Sequence, residues 1–168
     1  MSELPIYVLE REFAAPRELV WRAWTDPVLL PRWYGPGAET VVHRLDLEPG
    51  GLWLLEMRWG GNSHYQRVEY VEVEPPGRLV WLHSVADADW SVVANPMMAD
   101  WPRVLRTAVT FEEADGRTKM RFTWVPENAN GAEVACFAAA MGGMDKGWST
   151  GMEKIAELLV ELEAGPNA

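Results

Sequence analysis

The pattern near the C-terminal end restricts the fold of this chain more than any other feature. Apolar residues at Val134, Phe137, Met141, Met144, Trp148, Met152, Ile155, Leu159 and Leu162 recur every three or four positions, the spacing that gathers side chains on one stripe of an α-helix. Sustained for about eight turns, the stripe predicts one amphipathic helix of about 33 residues, roughly 50 Å long. Gly142, Gly143, Gly147 and Gly151 lie inside it. Each costs up to about 1 kcal/mol relative to alanine in a helix interior, which predicts a kink or a close backbone approach near the first pair.

A stripe of that length needs an apolar surface to lie against, and the preceding residues supply one. Ile6 to Ala14 read as a first strand, and from Thr40 onward the period is two, with strands at about 40 to 48, 51 to 59, 64 to 74, 78 to 85, 103 to 112 and 117 to 125. Pro49-Gly50-Gly51, Gly60-Gly61-Asn62, Pro75-Pro76-Gly77 and Asp115-Gly116 join them by tight turns, which predicts an antiparallel meander. The helix is expected to cross this curved sheet diagonally. After the first strand, Pro16 opens a short helix with Leu19, Val20, Ala23 and Trp24 on one face; Asp26-Pro27 repeats the start signal, and Leu29, Leu30 and Trp33 form a second stripe ended by Gly35 and Pro36. The fold class is therefore α+β, with two short helices after strand one. The segment from Ala86 to Pro102 breaks the pattern and carries Trp90, Met97, Met98 and Trp101. Long connections of this kind often act as lids or binding loops.

Composition narrows the function. The 168 residues, 48% apolar and 24% charged, suit a single globular domain, read here as residues 1–168. Fifteen basic against 25 acidic residues leave a net charge of −10, a field that repels phosphate backbones and anionic headgroups, so neither nucleic acid nor a membrane surface is an expected partner. Met1 to Pro5 lack a basic, then apolar, leader, and the uncharged run Val134 to Met144 is too short to span a bilayer. Cys136 is the only cysteine, so no intrachain disulfide forms and a cytoplasmic location is expected.

Ten tryptophans are more indole than packing needs, and the strand parities say where several of them point. In the segment 51 to 59 the residues Trp53, Leu55, Met57 and Trp59 alternate with Glu56 and Arg58, placing the odd positions inward. By the same parity Trp81 and His83 share a face with Leu79, and Phe122 and Trp124 with Met120. These faces meet Phe137, Met141, Met144 and Trp148 on the helix, with Trp33 and Tyr34 closing one end and Trp101 supplied by the long connection. Each residue alone reads as core. As a set they are rich in Trp and Met, polarizable side chains that suit adaptable binding, and are expected to line a cavity. Tyr65, Arg67 and Glu69 alternate on one face of their strand, and an inward orientation would supply the polar end of the pocket. His83 lies between aromatic residues and is a candidate hydrogen-bonding group or general base.

Other chemistry finds little support. His43, His64 and His83 fall on different strands without a second ligand at metal-site spacing, so no metal is assigned. Ser84, Ser91 and Ser149 have no activating context and there is no G-x-S-x-G elbow, so no catalytic residue is named. The helix glycines are not a phosphate-binding fingerprint, and no cofactor is expected.

Several stretches carry a resemblance: FAAPRELVWRAWTDPVLLPRWYGP at 13–36, PGG at 49–51, VEVEPPGRLVW at 71–81, ADWP at 99–102, TFEEADGRTKM at 110–120 and the GW pair at 147 and 148. In this order they resemble the START-related (SRPBCC) superfamily, in the branch similar to the C-terminal domain of the heat-shock-protein-90 ATPase activator. The resemblance implies a helix-grip fold, a seven-stranded antiparallel sheet wrapped around the long helix, with a deep pocket for a small hydrophobic molecule such as a lipid or polyketide. The eukaryotic activator has a further N-terminal domain for chaperone binding, for which these 168 residues leave no room, so a chaperone partner has no support in the chain. The leading expectation is a module that carries, sequesters or senses a small hydrophobic, aromatic molecule. Two other classes stay open: a cyclase- or dehydratase-like enzyme using the same pocket, and a co-chaperone-like interaction domain with an exposed apolar patch on the 86–102 segment. Monomer and homodimer are both compatible with the pattern.

Overall fold

A computed structural model describes residues 4–35 and 37–164; Met1–Glu3, part of the Met1–Pro5 stretch considered above, and Pro36, read above as a helix terminator, lie outside the described residues. Seven strands form one antiparallel sheet: β1 Tyr7–Phe13, β2 Glu39–Leu45, β3 Leu52–Trp59, β4 Asn62–Glu74, β5 Arg78–Ala86, β6 Leu105–Ala114 and β7 Arg117–Pro126, in the order β1-β7-β6-β5-β4-β3-β2. Every neighbouring pair except β1 and β7 follows in sequence, as the tight turns require. The first strand closes the far edge by pairing with the last, Tyr7 opposite Trp124 and Phe13 opposite Thr118.

The helices follow the sequence signals with two differences. Helix α1, Arg17–Thr25, forms as expected. The second predicted helix is only a turn of 3-10 helix, Leu30–Arg32, preceded by an Asp26 carboxylate that accepts from the Val28 amide at 2.8 Å. The long helix α2, Gly131–Ala164, is a single element of 34 residues. It opens on a reciprocal cap: the Glu133 amide donates to the Asn130 side chain and the Asn130 amide to the Glu133 carboxylate. No close approach occurs at Gly142-Gly143, where an added Cβ would meet nothing; the contact is at Gly151, whose Cβ would stand 3.5 Å from the Trp33 ring.

Helix α2 is held in two ways along its length. Towards its C-terminal end Gly151, Met152, Ile155, Leu158 and Leu159 are buried, and Phe137 is buried near its start. Between them Met141, Met144 and Trp148 are only half-buried. The interior reflects this division. At the α1 end Trp24, Trp33, Trp81, Phe111 and Phe122 form contiguous aromatic contacts with centroids 4.5 to 6.4 Å apart, a packed core. At the other end the β5–β6 connection straddles the sheet, with Trp90 against Tyr65 and His43 on one face and Trp101 against Trp124 and Phe137 on the other. Polar ties steady the helix: the Tyr7 hydroxyl donates to Asp145 at 2.6 Å, and Arg11 pairs with Glu153 at 2.9 Å.

Because its C-terminal half carries the tight packing, Ile155→Ala is expected to lower the unfolding free energy by about 2–5 kcal/mol. On the same helix Val160→Ala, at an exposed position, is expected to stay within about 0.5 kcal/mol of the parent. Urea denaturation followed by circular dichroism compares the two.

Candidate ligand-binding cleft

The half-buried middle of α2 overhangs a cleft of about 280 Å³, lined by Trp33, Tyr34, Gly35, Gln66, Trp124, Gly143, Met144, Gly147, Trp148 and Gly151. Trp33, Tyr34 and Trp124 form one wall, and the helix forms the other, with Met144 and Trp148 standing beside the glycines. Gly143, Gly147 and Gly151 recur every four residues and so lie along one side of the helix. A Cβ at Gly143 or Gly147 would meet no atom within 4 Å, so neither glycine is required by packing. Their lack of side chains keeps the cleft open.

The aromatic wall is fixed in place by hydrogen bonds. Trp33 Nε1 donates to the Ala23 carbonyl at 2.7 Å, and Thr40 Oγ1 donates to the Tyr34 carbonyl at 2.7 Å. Gly35 follows with φ +69°, a left-handed conformation that favours glycine, and a Cβ there would lie 2.7 Å from Met57 Sδ, so the methionine would have to shift. Burial raises the pKa of the Tyr34 hydroxyl.

A second cleft of about 180 Å³ adjoins the first, and the two share Gln66 and Trp124. His64, His83, Asn95, Met98, Trp101 and Leu105 also line it. The Gln66 carbonyl oxygen accepts from the Tyr34 hydroxyl at 3.1 Å and lies 2.8 Å from His83 Nε2. A carbonyl only accepts, so the His83 proton sits on Nε2 and Nδ1 is a bare lone pair. Burial, with a smaller contribution from His64, lowers the His83 pKa to about 3; burial also lowers that of His64. Both pressures favour neutral imidazole.

The sixteen residues expected in the site are thus divided among several places. Trp33, Tyr34, Trp124, Met144 and Trp148 line the first cleft; His83, Trp101 and again Trp124 line the second. Trp53, Leu55, Trp81, Phe122 and Phe137 are fully buried in the packed core, with Met141 half-buried against it. Met57 and Trp59 border a shallow depression beside Gly35 and Gly37, where Trp59 is exposed. Tyr65 stands on the opposite face of the sheet. It pairs with Glu56 across β3 and packs edge-on against Trp90, while Arg67 donates to the Trp90 carbonyl at 3.2 Å. The inward orientation considered for Tyr65, Arg67 and Glu69 is therefore corrected: in β4 it is Gln66, Val68 and Tyr70 that face the helix. The apolar identity of Val68 and Tyr70 was the available signal, and it would have placed Gln66 in the site.

Glu56 departs from its expected solvent exposure. Its carboxylate is buried on the outer face and accepts from Arg58, Ser63 and His43; the Arg58 hydrogen bonds, followed by those of Ser63 and His43, hold its pKa near 2. Further depressions of about 300 and 350 Å³ lie on this outer face beside Arg67 and Glu69, and at the Met57–Trp59 edge. Neither is lined by the helix. Among the described residues no three His, Cys, Asp or Glu side chains converge as a metal site, and no helix is long and apolar enough to cross a membrane.

Comparison with known proteins adds the family. The model for the family described as activator of Hsp90 ATPase homolog 1-like protein matches residues 14–160. Similar solved structures include protein Ms6760 from Mycobacterium smegmatis, 26% identical with a TM-score of 0.75 over 94% of this chain and 96% of that one. A protein from Arthrobacter aurescens is 25% identical, with a TM-score of 0.78 over 93% and 86% of the two chains. Protein NE0264 from Nitrosomonas europaea is 27% identical, with a TM-score of 0.70 over 93% and 94%. No curated protein matches the chain.

The state of His83 makes a pH prediction. Its folded pKa of about 3 lies below the ordinary value of 6.5, so between these values the unfolded chain binds the proton and the folded protein does not. Stability is then full above about pH 6.5 and falls as pH drops toward 3, by up to about 1.4 kcal/mol per pH unit from this group. His83→Gln is expected to flatten the slope, measured by urea denaturation at a series of pH values.

Proposed function

The chain belongs to the activator of Hsp90 ATPase homolog 1-like family, and from that premise we propose that it binds a small hydrophobic, aromatic molecule in the cleft between the sheet and α2, as a carrier, sequestering protein or sensor. The observation that carries this reading is the open surroundings of Gly143 and Gly147 on the helix side of a cleft whose other side carries Trp33, Tyr34 and Trp124, with Trp148 beside the glycines on the helix. Glycine in a helix interior costs about 1 kcal/mol relative to alanine, and here no neighbouring atom requires it. A row of such positions over an aromatic wall is what a site for a flat ring needs. At about 280 Å³ the cleft sits at the low end of the ~300–1,000 Å³ typical of ligand sites, which suits one or two rings.

Among the described residues the two clefts offer few groups for proton transfer: Tyr34, His64 and His83 are the ionisable side chains on their walls. A histidine held neutral with a pKa of about 3 is a weak base at physiological pH. This supports binding over cyclase- or dehydratase-like chemistry. The same neutral, uncharged lining inside a strongly acidic protein also disfavours anionic ligands. A cytoplasmic setting accords with the lone Cys136.

The test uses calorimetric titration with naphthalene and indole. Gly147→Leu, at a position where an added Cβ meets no atom within 4 Å, is expected to weaken binding at least tenfold, or about 1.4 kcal/mol, whereas Gly147→Ala is expected to stabilise the fold by up to about 1 kcal/mol. Unchanged affinity in Gly147→Leu would place the ligand elsewhere.

A further inference from the structure

Gln66 stands where the two clefts meet and lines both. It lies on the inner face of β4, flanked by Leu55 of β3 and Val85 of β5. Its side-chain oxygen is engaged twice, by the Tyr34 hydroxyl at 3.1 Å and by His83 Nε2 at 2.8 Å, which uses both lone pairs of a carbonyl. The nitrogen at the other end of the carboxamide donates to nothing among the described residues, yet it is not one of the sealed polar atoms of the interior: those are four indole nitrogens, that of Trp124 among them, the Tyr70 hydroxyl and His83 Nδ1. An unsealed nitrogen on a half-buried side chain in the middle of the inner face, with strands on both sides, opens onto the clefts that this side chain lines.

Resting on the binding function proposed above, we infer that Gln66 selects the ligand: the site takes a neutral aromatic carbonyl compound, an aryl ketone or aldehyde, whose oxygen accepts from the Gln66 side-chain N–H while its ring lies under the helix glycines. The other donors of the first cleft are engaged or out of reach. The Trp33 indole N–H is tied to the Ala23 carbonyl, that of Trp124 is sealed, and the amides of Gly143 and Gly147 belong to the ladder of α2. Only the Trp148 indole, half-buried on the helix, offers another N–H without a partner among the described residues. A carbonyl conjugated to a ring holds its lone pairs near the ring plane, so a flat ligand presents them at its edge without leaving the aromatic wall. It also brings no proton of its own that needs an acceptor. A carboxylate would accept as well, but it carries a charge that no Lys or Arg on either cleft offsets.

The experiment is a calorimetric series on the full chain with 2-acetylnaphthalene, 2-isopropenylnaphthalene and 2-naphthoate. The alkene copies the shape of the ketone with a methylene in place of the oxygen. We expect the ketone to bind about fivefold more tightly than the alkene, the effect of one net hydrogen bond, and the naphthoate to bind most weakly. Gln66→Glu keeps an oxygen for Tyr34 and His83 but has no amide N–H, so the ratio should fall to near one; in Trp148→Phe it should persist. In a proton–nitrogen correlation spectrum of wild-type protein, the Gln66 side-chain amide signal should move downfield with the ketone and not with the alkene. Equal affinity of wild-type protein for ketone and alkene, a preference that vanishes in Trp148→Phe, or tightest binding of the naphthoate overturns this assignment and leaves the aromatic cleft standing. If neither ketone nor alkene binds, the binding function itself fails and the inference with it. The wild-type titrations and spectrum decide between these outcomes even if Gln66→Glu does not fold.

Discussion

Everything in this structure depends on how unevenly one helix is buried. The segment of α2 from Gly151 to Leu159 presses its side chains into the sheet and the aromatic core, where full burial of each large aliphatic side chain is worth about 1.5–3 kcal/mol. That anchorage, with the Phe137 contact and the reciprocal Asn130–Glu133 cap at the other end, allows the middle of the helix to pack less fully, with Met141, Met144 and Trp148 only half-buried against the core. A helix supported at both ends can present a row of glycines without losing its path. The cleft beneath it follows from that division of labour.

The aromatic residues divide in the same way. Trp24, Trp33, Trp53 and Trp81 fill the α1 end of the interior and serve as core. Trp124, Trp148 and Trp101 stand at the other end, where clefts remain between the rings. Trp33 belongs to both: its indole N–H is tied to the Ala23 carbonyl, its ring meets Gly151, and it borders the first cleft. It transmits the rigidity of the core to the site, and supporting contacts of that kind limit the loss of ring mobility on binding.

Much of this architecture was legible in the sequence. Period-two segments with tight turns between them gave the strand order from β2 to β7, and the terminal apolar stripe gave the helix, because these patterns are fixed by local geometry. The site was legible only in part. Parity placed Trp124 and His83 inward, yet it could not say that Trp53, Trp81 and Phe122 would close into solid core, since that depends on how far the sheet curves. Tyr65 was a choice between two faces, and the bulge between Tyr70 and Glu72 complicates parity along β4. Glu56 looked like a solvated residue in an alternating strand; a cluster of Arg58, Ser63 and His43 on neighbouring backbone positions brings it under cover, and nothing in a single strand's pattern shows such a cluster. The glycines were visible as a cost to the helix, but their open surroundings emerge only in three dimensions.

The most direct test of the cleft is a proton–nitrogen correlation spectrum of the indole N–H groups during titration with 2-naphthol. The signals of Trp124 and Trp148 are expected to move in parallel and to saturate together, with those of Trp21 at the α1 end and Trp59 at the exposed edge unmoved. Saturable shifts confined to Trp59 or Trp90, or no shift in any indole, would contradict an aromatic site beneath the glycine face of the helix.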